Sequence, residues 1–513
     1  MYKLILAWRY LRTRYIALAS VISVTLGVAT LIIVNSVMAG FTHEMNQRLN
    51  GMLSDIVIEG PDLLMGFQDS EHYCDEIREL LGDDLKQITT TVHVPAMLTA
   101  DLGGYIYTRQ LSIIGIDVDT YAEVSDFAEY VLHPENRKQL SFLLREGGYG
   151  LDDDGVLRDD FPEDAGWDYR RRKASWEAAI REASAESELT DTASEDEAGP
   201  VDPYANTLEE AVTFNPMRDQ HAGIILGIGI GSQRKRFESE DGKSSEVHDV
   251  FILQPGDDVQ LTFPTAASPP RAETAPFTVV DFYESKMSEY DFSFAFVRQQ
   301  DLQHLRGMIS SEGKAVTSIQ LKLQAGVNLI ETRDKLQSYF PADRAPYFRV
   351  QAWTDMQAPL LAAVELETTL LNILLFLIIA VAGFGILATF FMIVVEKTRD
   401  IGILKSLGAP SRGVMSIFLG YGLSLGIVGS GAGMILGLIF VAYINDVADL
   451  IEFVTKREVF DPTVYYFEQI PTIIHPSTVF LVVAGATLIA VMASVLPAVR
   501  AARLHPVEAL RYE

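Results

Sequence analysis

Four runs without a charged residue dominate the hydrophobic pattern: Tyr15–Phe41, Leu370–Val395, Val414–Ile444 and Ser477–Val499. Each is long enough, as an α-helix of about twenty or more residues, to cross the roughly 30 Å hydrocarbon core of a bilayer. The pattern predicts a membrane protein with four transmembrane helices. The first run follows the basic stretch Met1–Arg14, as a signal peptide would. Its apolar core is longer than a signal peptide's and no Ala-x-Ala-like site follows cleanly, so an uncleaved anchor is expected.

Residues 42–366 follow a different rhythm. Alternating apolar and polar positions at 55–60, 91–100, 110–117, 258–264, 276–284, 292–297 and 317–323 predict strands. Residues 327–340 read as an amphipathic helix, and Met45, Leu49 and Met52 continue the first span outward at helical spacing. The prediction is a large α+β domain inserted between spans one and two. Residues 143–210 break its pattern. Sixteen acids stand against six bases between 151 and 200, a composition that cannot bury a core of its own. A loosely ordered acidic insertion with one solvated helix over Arg170–Glu186 is expected there.

The expected order is an N-terminal segment (1–14), span one (15–41), the α+β domain (42–366) and span two (367–395). A loop (396–413), span three (414–444), an outer loop (445–476), span four (477–499) and a tail (500–513) follow. Charge sets the orientation. Lys3, Arg9, Arg12 and Arg14 precede span one, the 396–413 loop holds Lys397, Arg399, Lys405 and Arg412, and the tail holds Arg500, Arg503 and Arg511. The 445–476 segment instead carries six acids against Lys456 and Arg457. The excess of Lys and Arg places both termini and the 396–413 loop in the cytoplasm, and the α+β domain outside. A net charge of -28 argues against a nucleic-acid partner, and a single cysteine excludes an internal disulfide.

The search for chemistry is negative. Five residues separate Gly307 from Gly313 where a phosphate loop has four, and Ala315 stands where Ser or Thr would hold Mg²⁺. Residues 223–233 lack the GxGxxG spacing and read as a strand and turn. Nine histidines are scattered without HExxH or another metal-ligand pairing, and no GxSxG nucleophile elbow occurs. The span interiors hold no acid or base, which argues against an ion relay. Asn35 and Asn372 are expected to hydrogen-bond between helices. Gly422, Gly426, Gly429, Gly433 and Gly437 form a smooth stripe for close helix packing. No catalytic residue, metal site or bound cofactor is expected, so any ATP is used by another chain.

One short stretch remains unexplained, "EKTRDIGILKSLGAPSRG", residues 396–413. Ile401, Leu404 and Leu407 share a helical face, with Ile403 one turn from Leu407, while Arg399, Asp400 and Lys405 lie off it. Gly408 suits a left-handed helix end, Pro410 stops the helix, and Ser411 is placed to cap span three. Such a segment either floats in the headgroup layer or docks in a groove of a cytoplasmic partner.

This stretch, extended to Phe418, resembles the signature of the FtsX/MacB-type permease superfamily, E-K-x-x-[ED]-I-[GA]-I-L-K-x-[LM]-G-A. The tail "LPAVRAARLHPVEALRYE" (496–513) resembles that superfamily's closing segment. Within it, "YESKMSEYDFSFAFVRQQDLQHL" (283–305) and "VQAWTDMQAPLLAAVELE" (350–367) are similar to segments of the lipoprotein-releasing permeases. Lys286 and Gln357 depart from residues common there, and the acidic middle departs altogether. The resemblance covers residues 1–115 and 220–513.

The resemblance implies a permease subunit without enzyme activity of its own, in the bacterial inner membrane. It implies a complex with a cytoplasmic ABC ATPase dimer, which uses ATP and Mg²⁺, and a second permease subunit, identical or homologous. ATPase closure would enter through Glu396, Ile401, Gly402, Ile403, Leu404, Lys405, Leu407 and Gly408. An apolar cavity would take a triacylated lipoprotein from among the membrane lipids and pass it to a periplasmic lipoprotein chaperone. The residues expected at that cavity are Val37, Met38, Phe41, Met45, Leu49, Pro359, Leu360, Val364 and Leu366. A MacB-like efflux permease and an FtsX-like signal transducer are the alternatives within the superfamily.

Overall fold

The computed structural model describes residues 15–52, 54–150, 165–191, 214–238, 245–311, 313–340, 347–455 and 469–505. The expectations for 1–14, for most of the tail and for much of the acidic insertion lie outside these residues. The chain divides into two compact units, one of residues 1–46 and 358–513, the other of residues 47–357.

Among the described residues four helices are long and apolar enough to cross a membrane, Tyr15–Met52, Ala358–Glu396, Ser411–Ala442 and Pro476–Arg503, and all but the last turns of the first belong to the first unit. They are called spans one to four below. Span one runs past the predicted membrane boundary without a break, as the spacing of Met45 and Met52 implied. Span two begins at Ala358, earlier than predicted. Pro359 fits the first turn, where its missing N–H costs nothing, and the Ala, Leu and Glu residues that follow are strong helix formers.

The glycine stripe of span three packs on two neighbours. A Cβ at Gly422 or Gly426 would meet Ser494, Ala490 and Thr487 of span four. A Cβ at Gly429, Gly433 or Gly437 would meet Val24, Thr25, Val28, Ala29 and Ile32 of span one. Hydrogen bonds reinforce these seams, Thr25 Oγ1 to the Gly429 carbonyl at 3.1 Å and Ser430 with Thr487 at 3.0 Å, and Ser20 with Thr389 at 2.8 Å joins span one to span two. Asn35 departs from expectation and donates to Leu31 O of its own helix at 2.9 Å, while Asn372 is exposed.

Two connections differ from the sequence reading. Pro410, in extended backbone, is the N-cap of span three, so Ser411 is its first helical residue and makes no side-chain cap bond. The 445–476 segment opens with a helix, Ile444–Thr455, where a loop was expected. Ile444, Val447, Ala448 and Ile451 give it an apolar stripe at helical spacing.

The second unit is built on a nine-stranded sheet. The strands are β1 (Ile56–Glu59), β2 (Leu85–Asp101), β3 (Ile106–Ile116), β4 (Ala222–Gly227), β5 (Ser232–Glu238), β6 (Ser245–Phe251) and β7 (Asp258–Pro264). They continue as β8 (Ala272–Tyr283), β9 (Phe294–Arg298), β10 (Ile309–Ser310), β11 (Gly313–Lys314), β12 (Ser318–Leu323) and β13 (Arg349–Ala352). The order is β13-β1-β12-β2-β3-β9-β4-β8-β7, and β2 also pairs with β7. Strands β2, β3, β9, β4, β8 and β7 thereby close into a ring, with β12, β1 and β13 as an antiparallel extension. The β3–β9 and β4–β8 pairs are parallel. In β7, Val259, Leu261 and Phe263 point inward while Asp258, Gln260 and Thr262 do not, the alternation of a half-buried strand. The predicted helix appears as Leu329–Tyr339, and Leu336 seats it on the core. Cys74 is buried in that core, which pushes its thiol up to about 11 and leaves it unreactive.

The acidic insertion is anchored more firmly than its composition suggests. Trp167–Asp191 is a helix, and Arg170 in its first turn is buried. The Arg170 guanidinium forms a bidentate pair with Asp258 at 2.7 and 3.0 Å. It also donates to the carbonyls of Gly256, Pro216 and Asp219. One arginine thus ties the helix start to the 216–219 turn and to β7. Lys173 adds an ion pair with Asp257 at 2.6 Å. Composition could not reveal this, because the acids that matter lie in the flanking sheet.

Candidate functional site

The 396–413 stretch forms the helix Thr398–Ser406 between spans two and three, and Gly408 takes a positive φ of 92° to end it. Its apolar residues divide between two environments. Ile401 is 2% exposed and packs beside Ile393, Val414 and Phe418, so it belongs to the membrane unit's core and not to a docking face. Gly402 is buried beside it. Ile403, Leu404 and Leu407 are 44%, 38% and 81% exposed. The correction follows from the connection to spans two and three: a helix this short must turn one face inward against them. Glu396 is exposed. Lys405 is half-buried, and its Nζ donates to the Ala502 and Leu504 carbonyls at 2.8 and 2.7 Å.

A cavity of about 480 Å³ lies among span one, span two and the start of span four. Ile32, Met38, Leu361, Val364, Ile473 and Val479 give it an apolar wall. Asn35, Thr42, His43, Asn46, Glu365 and Thr478 are among the polar residues that line the rest. The segment leading into span four is held in place by the Ile473 amide, which donates to Ser36 O at 2.9 Å. Gly40 permits that approach, since a Cβ there would lie 2.4 Å from the Pro471 carbonyl oxygen. Asn46 Oδ1 is buried and has no hydrogen-bond partner among the described residues. The volume is within the range of small-molecule sites, and the split lining suits an amphiphile with an apolar chain and a polar end.

Of the residues expected at a substrate cavity, Met38 and Val364 line this one. Val37, Phe41, Pro359 and Leu360 are not among its lining residues. Met45 is buried elsewhere, at 8% exposure, and Leu366 faces outward. The Leu49 side chain lies outside the described residues. The polar lining was not anticipated, although Asn35, Thr42, His43 and Asn46 recur on one face of a helix and so were visible as a pattern. Gly313 and Lys314 of the imperfect phosphate-loop match lie in the short β10–β11 hairpin, not in the strand–loop–helix that cradles phosphate. Among the described residues no group of three or more His, Cys, Asp or Glu could hold a metal.

Comparison with known proteins gives a family for part of the chain. Residues 372–506 match the family described as FtsX-like permease C-terminal. The lipoprotein-releasing system transmembrane protein LolC of Xylella fastidiosa (strain 9a5c) is 33% identical over 237 residues, 46% of this chain and 55% of that protein. LolC of Neisseria meningitidis serogroup B is 30% identical over 290 residues, 56% of this chain and 65% of the relative. The match thus spans little more than half the length of the first of these relatives. Among solved structures, the periplasmic region of MacB from Actinobacillus actinomycetemcomitans is matched over 97% of its length and 62% of this chain, at 10% identity and a TM-score of 0.25. The loop helix and the packed spans that follow it lie within the segment, residues 372–506, that matches the FtsX-like permease C-terminal family.

Proposed function

We propose that this chain is the permease subunit of an ATP-driven transporter of the inner membrane that extracts lipoproteins. Both termini and the loop helix face the cytoplasm, as the distribution of Lys and Arg supports. A separate ABC ATPase dimer hydrolyses ATP and docks on Ile403, Leu404 and Leu407. A second permease subunit completes the complex. A lipoprotein enters from the outer leaflet, with its acylated end in the cavity at Met38 and Val364, and leaves to a periplasmic chaperone.

The observation that carries this reading is the exposed aliphatic face of the loop helix inside the segment that matches the FtsX-like family. Buried in a partner's groove, the area these three side chains still expose contributes about 2–5 kcal/mol in all. The names of the LolC relatives support the substrate class. The test is a photocrosslinking residue at Met38 or Val364 of the full chain in native membranes. Capture of acylated lipoprotein supports the proposal. Labelling of phospholipid with no lipoprotein removes the substrate claim.

A further inference from the structure

The loop helix carries one polar contact that a docking knob does not need. Lys405 turns away from the exposed Leu404–Leu407 face and places its ammonium on the end of span four. The last carbonyls of any helix lack an intrahelical partner, and the helix dipole makes that end negative. Lys405 supplies two hydrogen bonds and a positive charge to it. The end it grips follows Pro497, a proline inside the helix whose nitrogen has no hydrogen to give the preceding turn. That terminal turn is therefore held from outside, by Lys405 and by the buried Ala498, Ala501 and Ala502. At its other end, span four places Thr478 and Val479 in the wall of the 480 Å³ cavity.

We infer that Lys405 is a positioning strut that makes the loop helix and the end of span four move as one body. A displacement of the loop helix then reaches the cavity through span four, in addition to spans two and three, to which the helix is joined by the chain. The inference rests on the proposed function only in taking a partner ATPase as the source of the displacement. The strut itself is a property of this chain alone.

The test uses the full chain in lipid nanodiscs, with Cys74→Ser, Ser406→Cys and Arg503→Cys carrying spin labels for pulsed-dipolar distance measurement. A second pair, Ser416→Cys with Val495→Cys, reports the packing of span three on span four. Lys405→Met keeps the side-chain length and loses both hydrogen bonds. It is expected to broaden the 406–503 distance distribution about twofold, as the freed last turn samples more positions. Lys405→Arg, which still donates, restores the narrow distribution, and the 416–495 pair stays unchanged in both variants. A 406–503 distribution in Lys405→Met that superimposes on the parent overturns the inference. So does broadening of both pairs, which would make Lys405 a general packing residue. No ATPase or substrate enters this measurement, so its failure leaves the proposed function standing, and failure of that function leaves the strut standing.

Discussion

Gly433 gives the sharpest prediction for the packing of the membrane unit. In Gly433→Ala the new Cβ would lie 2.6 Å from the Thr25 carbonyl oxygen and 2.8 Å from Val28 Cβ, both on span one. Restoring ordinary contact means that span one retreats by roughly 1 Å, a gap that forfeits much of the dispersion energy of neighbouring contacts. Gly429 and Gly437, where an added Cβ would lie 3.0 Å from Val24 and 3.2 Å from Ala29, share that seam. The 3.1 Å bond from Thr25 to the Gly429 carbonyl would stretch with it. Overpacking costs about 1–3 kcal/mol, and an interhelical hydrogen bond in a membrane adds about 0.6 kcal/mol. Against this, Ala gains up to about 1 kcal/mol over Gly in a helix. The net loss is about 1–2 kcal/mol.

Gly431 supplies an internal control on the same helix. A Cβ there meets nothing within 4 Å, so Gly431→Ala keeps only the helical gain and is neutral or stabilising. The assay is reversible denaturant unfolding of the full chain in bicelles. The expected order of stability is Gly431→Ala at or above the parent, and Gly433→Ala below both. A Gly433→Ala protein as stable as Gly431→Ala would refute the close approach of spans one and three.

Three further outcomes are expected. Leu407→Asp, at the most exposed apolar position of the loop helix, abolishes co-purification of the ATPase; a stoichiometric ATPase on the mutant would remove the docking face. Arg170→Met leaves Asp258 with only the Thr278 hydroxyl as a side-chain donor, and three carbonyls without the guanidinium. Because Asp258 keeps some access to water, the cost is about 2–3 kcal/mol, read as a roughly 100-fold faster hydrogen exchange at residues 166–173. Exchange unchanged there would mean that the insertion is held by other contacts. Burial pushes the Asp281 carboxyl up to about 7, opposed by hydrogen bonds from Asn136, Phe282 and His133. Its folded form therefore holds the proton more tightly than the unfolded chain, and stability is lost as pH rises from about 4 to about 7. The loss attributable to this group is at most about 4 kcal/mol, and Asp281→Asn removes it. The difference in unfolding free energy between the two proteins across that window checks the claim, and no change in the difference contradicts it.

The spans were legible because hydrocarbon imposes a length and forbids charge, and both are written along the chain. The strands at 258–264 and 317–323 were legible for a similar reason, since a half-buried surface imposes alternation. What stayed hidden depends on pairing between distant residues. Nothing near Arg170 announces Asp258, and nothing in residues 396–413 tells which apolar side chain turns inward, so Ile401 was assigned to the wrong face. Lys405 was readable as a charge off the apolar stripe, but its partners are main-chain carbonyls about a hundred positions away, which no side-chain pattern encodes. The cavity followed the same rule. Met38 and Val364 stand in its apolar wall and the polar residues of span one were visible as a helical face, but that Ile473, Thr478 and Val479 close it needed the approach of the 471–473 backbone over Gly40.

The central claim is that this chain moves lipoproteins when a partner hydrolyses ATP. The most direct test reconstitutes the chain with its co-purifying ATPase and any second permease subunit in proteoliposomes loaded with an acylated lipoprotein, with a soluble chaperone outside. The account predicts ATP-dependent transfer of the lipoprotein to the soluble fraction, lost with Leu407→Asp. ATP hydrolysis that proceeds while the lipoprotein stays in the membrane would contradict it.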